Sequence, residues 1–199
     1  MGLTPVPPGH VAAVVTFLEM RKRPPARPLP VSTLRLVRWK QAQPDKYRAL
    51  FRRIGERWLW FSRLAIDDAR LSAIIHDPAV EIYAITDRRG IEVGLIELDF
   101  RSMPDCELAF FGLIPELAGQ QLGRWMMAQV MMLGWRGSVK RLWVHSCTLD
   151  HPSALGFYRA QGFEAYRREV EIFADPRLTG HLPETAAPQI PLVPPPSRT

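Results

Sequence analysis

The chain has 199 residues, which is enough for one domain with a hydrophobic core. Hydrophobic residues make up 47% of it and charged residues 23%, the composition of a globular, soluble protein. No run approaches the roughly 20 apolar residues of a membrane span, and the first residues lack the pattern of a signal peptide. The two cysteines, Cys106 and Cys147, are too few for a disulfide framework or a metal cluster, so we expect a protein of the reducing cytoplasm.

The net charge is +6 and the isoelectric point is about 9.8. A charge of this size suits a nucleic acid, a membrane surface or an anionic cofactor. A nucleic-acid-binding protein would gather its basic residues on one face, beside stacking aromatic residues. The arginines are instead dispersed along the whole chain. A nucleic-acid-binding protein is therefore the weaker alternative, and an anionic cofactor is enough to explain the charge.

Prolines crowd both ends of the chain and divide it into three parts. Residues 1–31 form a proline-rich extension, in which the apolar, β-branched run from Val11 to Met20 fits an extra strand better than a short helix. Residues 32–178 form the main domain. Residues 179–199 form a proline-rich tail that favours the polyproline II conformation, and we expect this tail to be mobile and passive.

The main domain alternates strands and helices, which predicts a mixed α/β fold. A first strand is followed by two helices, then by a hairpin with its turn at residues 87–90, and then by three strands that alternate with two helices. In chain order, the strands are predicted at residues 32–39, 79–86, 91–100, 107–114, 139–147 and 164–173, and the helices at residues 44–60 and 67–76, from residue 122 onward, and around Tyr158.

The segment from Glu107 to Trp135 places a strand, a glycine-bearing loop and a helix in succession. The strand is rich in aromatic and branched residues, and the apolar residues of the helix recur at helical spacing. A helix that starts after such a loop presents free backbone N–H groups to an anion, and Arg124 adds a cation at the same place. Taken alone, a plain strand–turn–helix connection explains the segment equally well.

Two motifs, one in this segment and one downstream, resemble those of the GNAT acyltransferase superfamily. The loop pattern Arg/Gln-x-x-Gly-x-Gly/Ala aligns with residues 118–123, AGQQLG, where Gly123 is kept while Ala118 and Gln121 depart from the pattern. The later pattern Asn-x-x-Ala-x-x-Phe-Tyr-x-x-x-Gly-Phe aligns with residues 151–163, HPSALGFYRAQGF, with His151 in the asparagine place. The resemblance extends over about residues 33 to 174.

The resemblance implies a mixed, mostly antiparallel sheet of about six to seven strands, split between the superfamily's fourth and fifth strands where acyl-coenzyme A binds. It implies acetyl-coenzyme A as co-substrate and no metal. The end of the fourth strand would bind the thioester, and the loop with the following helix would bind the pyrophosphate. The residues implied for the cofactor are Phe111, Leu113, Ile114, Gly119, Gln120, Gln121, Leu122, Gly123, Arg124 and His151.

Acyl transfer to an amine needs a donor for the developing oxyanion, a base for the amine and an acid for the departing thiolate. Gly112 is interpreted as a strand bulge beside the oxyanion donors. Tyr158 is the candidate general acid, since a phenol with a pKa of about 10 suits the protonation of a thiolate. Glu107 is the candidate base, because it alternates with Ala109 and Phe111 toward the expected acceptor side.

Other residues remain open for the base and for the acceptor site. Glu97, Asp99 and His145 are rival bases, and Cys147, on one strand face with His145, leaves a covalent route open. Asp150 is interpreted as a helix cap. An aromatic run follows the first helix, where members of the superfamily border the acceptor, although core packing explains it as well. The set expected to bind the acceptor is Trp58, Trp60, Phe61, Glu97 and His145.

The sequence thus predicts a cytoplasmic N-acetyltransferase that moves an acetyl group directly from acetyl-coenzyme A to an amine. The acceptor is either a small amine or an amine of a protein or peptide, with neither a membrane nor a nucleic acid favoured. A homodimer is an open alternative to a monomer. The main rival is a catalytically degenerate relative that binds acyl-coenzyme A or a partner. Ala118 and Gln121 give this rival weight, whereas Tyr158 and Gly123 count against it.

Overall fold

A seven-stranded sheet forms the centre of the molecule, and helices cover both of its faces. The computed structural model describes residues 2–25 and 28–196. The strands are β1 (His10–Met20), β2 (Arg35–Trp39), β3 (Val80–Thr86), β4 (Glu92–Asp99), β5 (Asp105–Leu113), β6 (Arg141–Cys147) and β7 (Glu164–Ala174). The helices are α1 (Pro44–Gly55), α2 (Asp68–Ile75), α3 (Leu122–Gly134) and α4 (Ala154–Ala160).

The strands lie in the order β2-β3-β4-β5-β6-β1-β7. Neighbouring strands run antiparallel, except that β5 and β6 run parallel. The pairing of β5 with β6 is short, because it extends only from Asp105–Arg141 to Glu107–Trp143. Both strands continue beyond this point, so a V-shaped gap opens within the sheet. The predicted mixed α/β fold with a split, mostly antiparallel sheet is confirmed.

The first helix is shorter than predicted, since it ends at Gly55 rather than at Trp60. A side chain at position 55 would meet the Trp60 Cβ at 2.3 Å, so glycine allows the chain to fold back against the end of α1. The turn is closed by the Trp60 N–H, which donates to the Gly55 carbonyl at 3.0 Å. The aromatic run after the helix therefore begins in a 3₁₀ turn at Glu56–Trp58 and continues as a loop whose side chains are free to point at the sheet.

The helices divide the core into two halves, one on each face of the sheet. We refer to the α3/α4 face and the α1/α2 face by the helices that cover them. The α3/α4 face buries, among others, Leu18, Leu108, Met126, Val130, Leu142 and Val144. The α1/α2 face buries, among others, Tyr47, Leu50, Phe51, Leu71, Ile82 and Leu95. Among the described residues, no helix is both long enough and apolar enough to cross a membrane.

The N-terminal segment contributes an internal strand of the sheet rather than a separate extension. β1 confirms the strand predicted at residues 11–20, and it lies between β6 and β7. The buried side chains of Leu18 and Met20 belong to the core of the α3/α4 face. After β1 the chain reaches the opposite edge of the sheet, where β2 begins. β1 is the strand that pairs with β7, so β7 depends on it for its place in the sheet.

The residues after β7 pack on the domain at least as far as Val193, whose carbonyl accepts from the Gly9 N–H at 3.0 Å. The buried set is Val11, Leu59, Leu182, Ala186 and Ala187. Asp175 and Arg177 form a buried ion pair at 2.7 Å, and Arg177 also donates to the carbonyl groups of Ala186 and Ile190. The expected mobile tail does not match this part of the structure, because its small apolar residues cover the end of β1 and the loop after α1.

Candidate active site

The gap between β5 and β6 contains a cavity of about 830 Å³. On the α1/α2 face its walls are the aromatic loop at residues 58–63 with parts of β5, β6 and β7, and on the other face they are the start of α3 and α4. Strands that separate leave N–H and C=O groups without strand partners, so the gap suits a polar, extended ligand. We refer to the two ends of the cavity as the α3 end and the aromatic end.

A bulge in β5 decides which side chains reach the aromatic end. Ala109 is an extra residue relative to β4. Glu107 therefore points to the α1/α2 face, whereas Phe111 stacks on Phe157 at 5.8 Å on the α3/α4 face. The expected alternation of Glu107 with Phe111 is wrong, although Glu107 does reach the side that was expected for it.

Gly112 is not the bulge that the sequence indicated. A side chain at this position would meet Ile54 Cγ2 at 2.6 Å and the Trp60 ring at 3.1 Å. Glycine is required here because α1 and the aromatic loop press directly on the backbone of β5.

The backbone of β5 presents two N–H groups to the gap. The Ile114 N–H donates to the Val93 carbonyl at 2.9 Å. In an antiparallel ladder bonded and non-bonded pairs alternate, so the N–H groups of Phe111 and Leu113 point away from β4. They face the side of β6, which has separated at this level, and both residues line the cavity. Ile114 does not fit its expected role, because its N–H already has an acceptor.

At the α3 end, consecutive backbone N–H groups of residues 119–123 have no acceptor among the described residues. The loop follows a 3₁₀ turn at Pro115–Leu117, and Gly119 has a φ of +79°. The side chain of Gln120 folds back and donates to the Glu116 carbonyl at 3.2 Å, which leaves its backbone to the loop. Free N–H groups and the helix dipole make this loop suitable for an anion, with Arg124 beside it. The cavity is also lined here by Gly119, Gln121, Leu122 and Gly123.

Gln121 adopts the left-handed backbone conformation, with a φ of 58° and a ψ of 7°, at the cap of α3. Its place in the loop pattern is that of a glycine. The left-handed region costs residues other than glycine about 1–2 kcal/mol. The departure from the pattern therefore preserves the path of the backbone and adds strain to the loop.

We expect the Gln121→Gly variant to be more stable than the parent protein. Relief of the left-handed strain outweighs the extra freedom that glycine gives the unfolded chain, about 0.4–1 kcal/mol. A net gain of up to about 1 kcal/mol would raise Tm by roughly 2–4 °C in a chain of this size. Gln120→Gly is the matched control, since Gln120 is not in the left-handed region. Equal changes in Tm in the two variants would contradict the assignment of strain to Gln121.

Tyr158 projects from α4 to the wall of the cavity and is 7% exposed. The rings of Phe111, Phe157 and Phe163 surround it at centroid distances of 5.7–6.3 Å. Its hydroxyl has no hydrogen-bond partner among the described residues. Burial, with a smaller contribution from the charge of Asp150, raises the pKa of Tyr158 above its ordinary value. The phenol is therefore protonated at neutral pH and free to donate into the cavity.

Glu107 of β5 and His145 of β6 meet where the two strands begin to separate. The Glu107 Oε1 lies 3.6 Å from the His145 Nδ1. This carboxylate raises the pKa of His145 above its ordinary value, and its effect exceeds the opposing effect of burial. The rings of Phe17 and Trp143 flank the imidazole at 5.8 and 6.2 Å. The pair thus places a group that exchanges a proton near neutral pH in the aromatic end of the cavity.

The aromatic loop is held against the end of β6 by Asp150. All three predicted aromatic residues, Trp58, Trp60 and Phe61, line the cavity. The Trp60 Nε1 donates to one carboxylate oxygen of Asp150 at 3.1 Å, and the other oxygen accepts from the Ser146 hydroxyl and the Cys147 N–H at 2.8 and 2.9 Å. Asp150 is not the helix cap that the sequence indicated, since Ser153 occupies that position in α4.

Glu97 is fully buried beneath the aromatic end. Its carboxylate accepts hydrogen bonds from the Tyr47 hydroxyl and from Arg63, each at 2.5 Å. Arg63 in turn lies over the Phe110 ring at 5.0 Å and lines the cavity. Glu97 does not line the cavity, so the structure gives it the task of holding Arg63 rather than of touching an acceptor.

His151 lies at the start of α4 and lines the cavity. Its Nδ1 is 2.7 Å from the Ser153 hydroxyl and accepts from the Ser153 N–H at 3.2 Å. Its ring packs edge-on against Trp58 at 5.3 Å. The exposed imidazole therefore connects the first turn of α4 to the aromatic loop.

Sequence reasoning missed Glu171 of β7, which also lines the cavity. β7 carries many charged residues and looks solvated throughout, so no signal distinguishes this glutamate. Burial raises the pKa of Cys147 to about 11, so it is a neutral thiol at neutral pH, which disfavours a covalent route. Within residues 2–25 and 28–196, no group of three or more His, Cys, Asp and Glu side chains is placed to hold a metal ion.

We compared the chain with protein-family models, with curated proteins and with solved structures. A family model described as the acetyltransferase (GNAT) family matches residues 38–163. No curated protein matches the chain.

Several solved structures share the fold. A functionally unknown conserved protein from Staphylococcus epidermidis matches with a TM-score of 0.55 and 13% identity, over 84% of this chain and 63% of that one. A GCN5-related N-acetyltransferase from Sphaerobacter thermophilus matches with a TM-score of 0.53 and 14% identity, over 84% and 52%. A tandem GNAT protein from the clavulanic acid biosynthesis pathway matches with a TM-score of 0.51 and 18% identity, over 85% and 53%.

The chain spans only about half to two thirds of the length of these structures, and at such low identity the likeness shows the fold alone. The family model is the stronger finding, because it covers more than half of the chain and both motifs at the cavity. The protein with the split sheet and the anion site at α3 belongs to the GNAT family of acetyltransferases.

Proposed function

We propose that this protein transfers the acetyl group of acetyl-coenzyme A to an amine by direct attack, with Tyr158 as the general acid. One observation carries the proposal. In the part of the chain that the structure describes, the N–H groups at the start of α3 and the Tyr158 hydroxyl have no partner, and both open onto the same cavity. An anion site and a proton donor in one cleft are what a phosphorylated thioester substrate requires.

The α3 end of the cavity suits the phosphates of acetyl-coenzyme A. Backbone N–H groups of residues 119–123 and the Arg124 guanidinium would hold the pyrophosphate. Acetyl-coenzyme A supplies an activated thioester when bound. The N–H groups of Phe111 and Leu113 face the gap, where a thioester carbonyl would lie, and would stabilise the oxyanion that develops on it.

Two groups of this chain, Tyr158 as the acid and His145 as the base, account for the proton transfers. The amine nitrogen forms a bond to the carbonyl carbon, and the bond from that carbon to sulfur breaks. Tyr158 gives its proton to the departing thiolate and recovers one from the nitrogen that has been acylated, through solvent in the cavity. The proton of the incoming ammonium leaves first, and one proton is released overall.

His145 supported by Glu107 is the base in this proposal. Because Nδ1 faces the carboxylate, the neutral imidazole would carry its proton there and offer Nε2 to the ammonium. A His whose pKa is raised is a better acceptor near neutral pH than an isolated carboxylate, whose pKa is about 4.3. Glu107 then stabilises the imidazolium that forms.

Acetyl-coenzyme A should raise the Tm of the protein. A ligand present at about 100 times its Kd stabilises the folded state by about 2.7 kcal/mol, which corresponds to roughly 5–10 °C for a chain of this size. Acetyl-pantetheine, which lacks the pyrophosphate and nucleotide, should give a much smaller shift. The measurement is thermal unfolding at increasing ligand concentration, paired with release of free thiol in the presence of a panel of amines.

The outcomes separate the two functions under consideration. A shift in Tm with thiol release that depends on an amine supports transfer. A shift without turnover on any amine would support the degenerate acyl-coenzyme A binder, for which the strained Gln121 in the loop is the motivating observation. The absence of any shift at millimolar ligand would remove both.

A further inference from the structure

The aromatic end of the cavity carries an excess of negative charge, although the chain as a whole has a net charge of +6. Its two arginines are each neutralised. Arg63 pairs with the buried Glu97 at 2.5 Å, and Arg101 pairs with Asp99 at 2.5 Å. The charged residues that line this end are Arg63, Asp99, Arg101, Glu107, His145, Asp150 and Glu171.

Three carboxylates remain after these pairs are set aside, and two of them have capacity for a ligand. Asp150 is saturated by three donors of the protein. Among the described residues, the Glu107 carboxylate has one charged partner, the His145 imidazole at 3.6 Å. Glu171 has no ion-pair partner among the described residues, whereas its neighbour Glu169 on the same strand lies 3.4 Å from Arg167. Glu107 and Glu171 are therefore the carboxylates with capacity for a ligand.

The surface between these two carboxylates is apolar. It consists of Val15, which is buried, and of the neutral thiol of Cys147. At its far end, Phe61 and Phe173 stack at a centroid distance of 4.9 Å, and Phe173 shares its strand face with Glu171. A carboxylate beside the faces of aromatic rings is a favourable place for an organic cation.

Strand register gives the separation of the two charged places. His145 lies opposite Phe17 of β1, and Glu171 lies opposite Ala13 on the other side of the same strand. Two strand spacings across and four residues along correspond to about 16 Å between the Cα atoms of His145 and Glu171. Both side chains face into the cavity, so they shorten the distance that a ligand must span.

We propose that the acceptor is a dicationic amine, in which an apolar linker joins the amine that is acetylated to a second ammonium group. The reacting amine lies at Glu107 and His145, the linker lies on Val15 and Cys147, and the distal cation lies at Glu171 beside the stacked rings. The inference rests on the proposed acetyl transfer and specifies the chemical class of the acceptor. It excludes amino acids as preferred acceptors, since their carboxylate would meet this negative end.

The test compares α,ω-diamines of increasing length with n-alkylamines of the same length, by thiol release from acetyl-coenzyme A. We expect a higher kcat/KM for the diamines, with an optimum at the longer linkers. Glu171→Gln should lower the diamine-to-alkylamine ratio of kcat/KM by up to about fivefold, the upper end of the range for an exposed ion pair. Glu169→Gln is the matched control, because it removes the same charge from the same strand face outside the cavity and should leave the ratio unchanged.

Failure of this inference and failure of the transfer look different. Acetylation of alkylamines and diamines with equal kcat/KM, or an equal effect of the two glutamine variants on the ratio, would overturn the dicationic acceptor and leave the transfer standing. Preferential acetylation of a basic peptide over every diamine would also overturn it, in favour of a macromolecular acceptor. Turnover on no amine, with acetyl-coenzyme A still bound, would overturn both.

Discussion

The Tyr158→Phe variant should lose about 10²- to 10⁴-fold in kcat, the usual contribution of a general acid. The substitution keeps the ring and its packing against Phe111, Phe157 and Phe163, and it removes the hydroxyl that faces the cavity. Binding of acetyl-coenzyme A should change little, because in the proposed binding mode the backbone at the start of α3 holds the phosphates. Steady-state thiol release and the ligand-induced shift in Tm measure the two effects separately.

Thermal unfolding distinguishes the acid from a structural hydroxyl. A buried hydroxyl with a protein partner would contribute about 1 kcal/mol to stability, but Tyr158 has no such partner among the described residues, so its Tm should be nearly unchanged. Tyr166→Phe is the control, since Tyr166 is exposed on β7 and does not line the cavity. If kcat stays within a few-fold of the parent in Tyr158→Phe, then Tyr158 is a packing residue and another group delivers the proton.

Tyr158 also determines how the rate of transfer should respond to alkaline pH. Burial and the charge of Asp150 raise the pKa of Tyr158, so it remains protonated through its ordinary titration range. A donor with a raised pKa is also a weaker acid. It therefore transfers its proton as charge develops on sulfur and does not ionise beforehand.

The fold could be predicted because its determinants are local and repeated. Apolar residues at strand and helix periods appear again as the pattern of burial, as in β6, where Leu142, Val144 and Ser146 are buried and the residues between them are not. The order of the strands in the sheet has no such local signal in the sequence. The placement of β1 between β6 and β7 depends on pairing between the two ends of the chain, and the periodicity of β1 is the same wherever it pairs.

The parts of the site whose backbone conformation is fixed by a motif could be predicted. The parts in which a shift of one residue along a strand decides which side chains face the cavity could not. The loop pattern placed free N–H groups at residues 121–124, and among the described residues those of 121–123 have no acceptor, whereas the Arg124 N–H donates to the Gln121 carbonyl. The extra residue Ala109 reverses the faces along β5, and no residue type announces such a bulge. Glu171 lies on β7, which follows the second motif directly, but it reaches the cavity only through the pairing of β7 with β1, so only the tertiary structure reveals it.

The proton-accepting pair should produce the other large effect. His145→Asn keeps a polar side chain near the position of Nδ1 and removes the nitrogen that accepts the proton, so kcat/KM should fall by about 10²- to 10⁴-fold. Because Glu107 raises the pKa of His145, and because the neutral imidazole is the active form, the parent enzyme should lose activity as the pH falls through a value above the ordinary 6.5 of histidine.

The Glu107→Gln variant tests the sign of that coupling. Loss of the carboxylate removes the main cause that raises the pKa of His145, so the acidic limb of the kcat/KM profile should move to lower pH. An amine acceptor titrates at about 10.4 and does not obscure this limb. His10→Asn, at an exposed histidine that does not line the cavity, should leave both the rate and the limb unchanged. An acidic limb that stays in place in Glu107→Gln, or moves to higher pH, would mean that His145 is not the group that takes the proton.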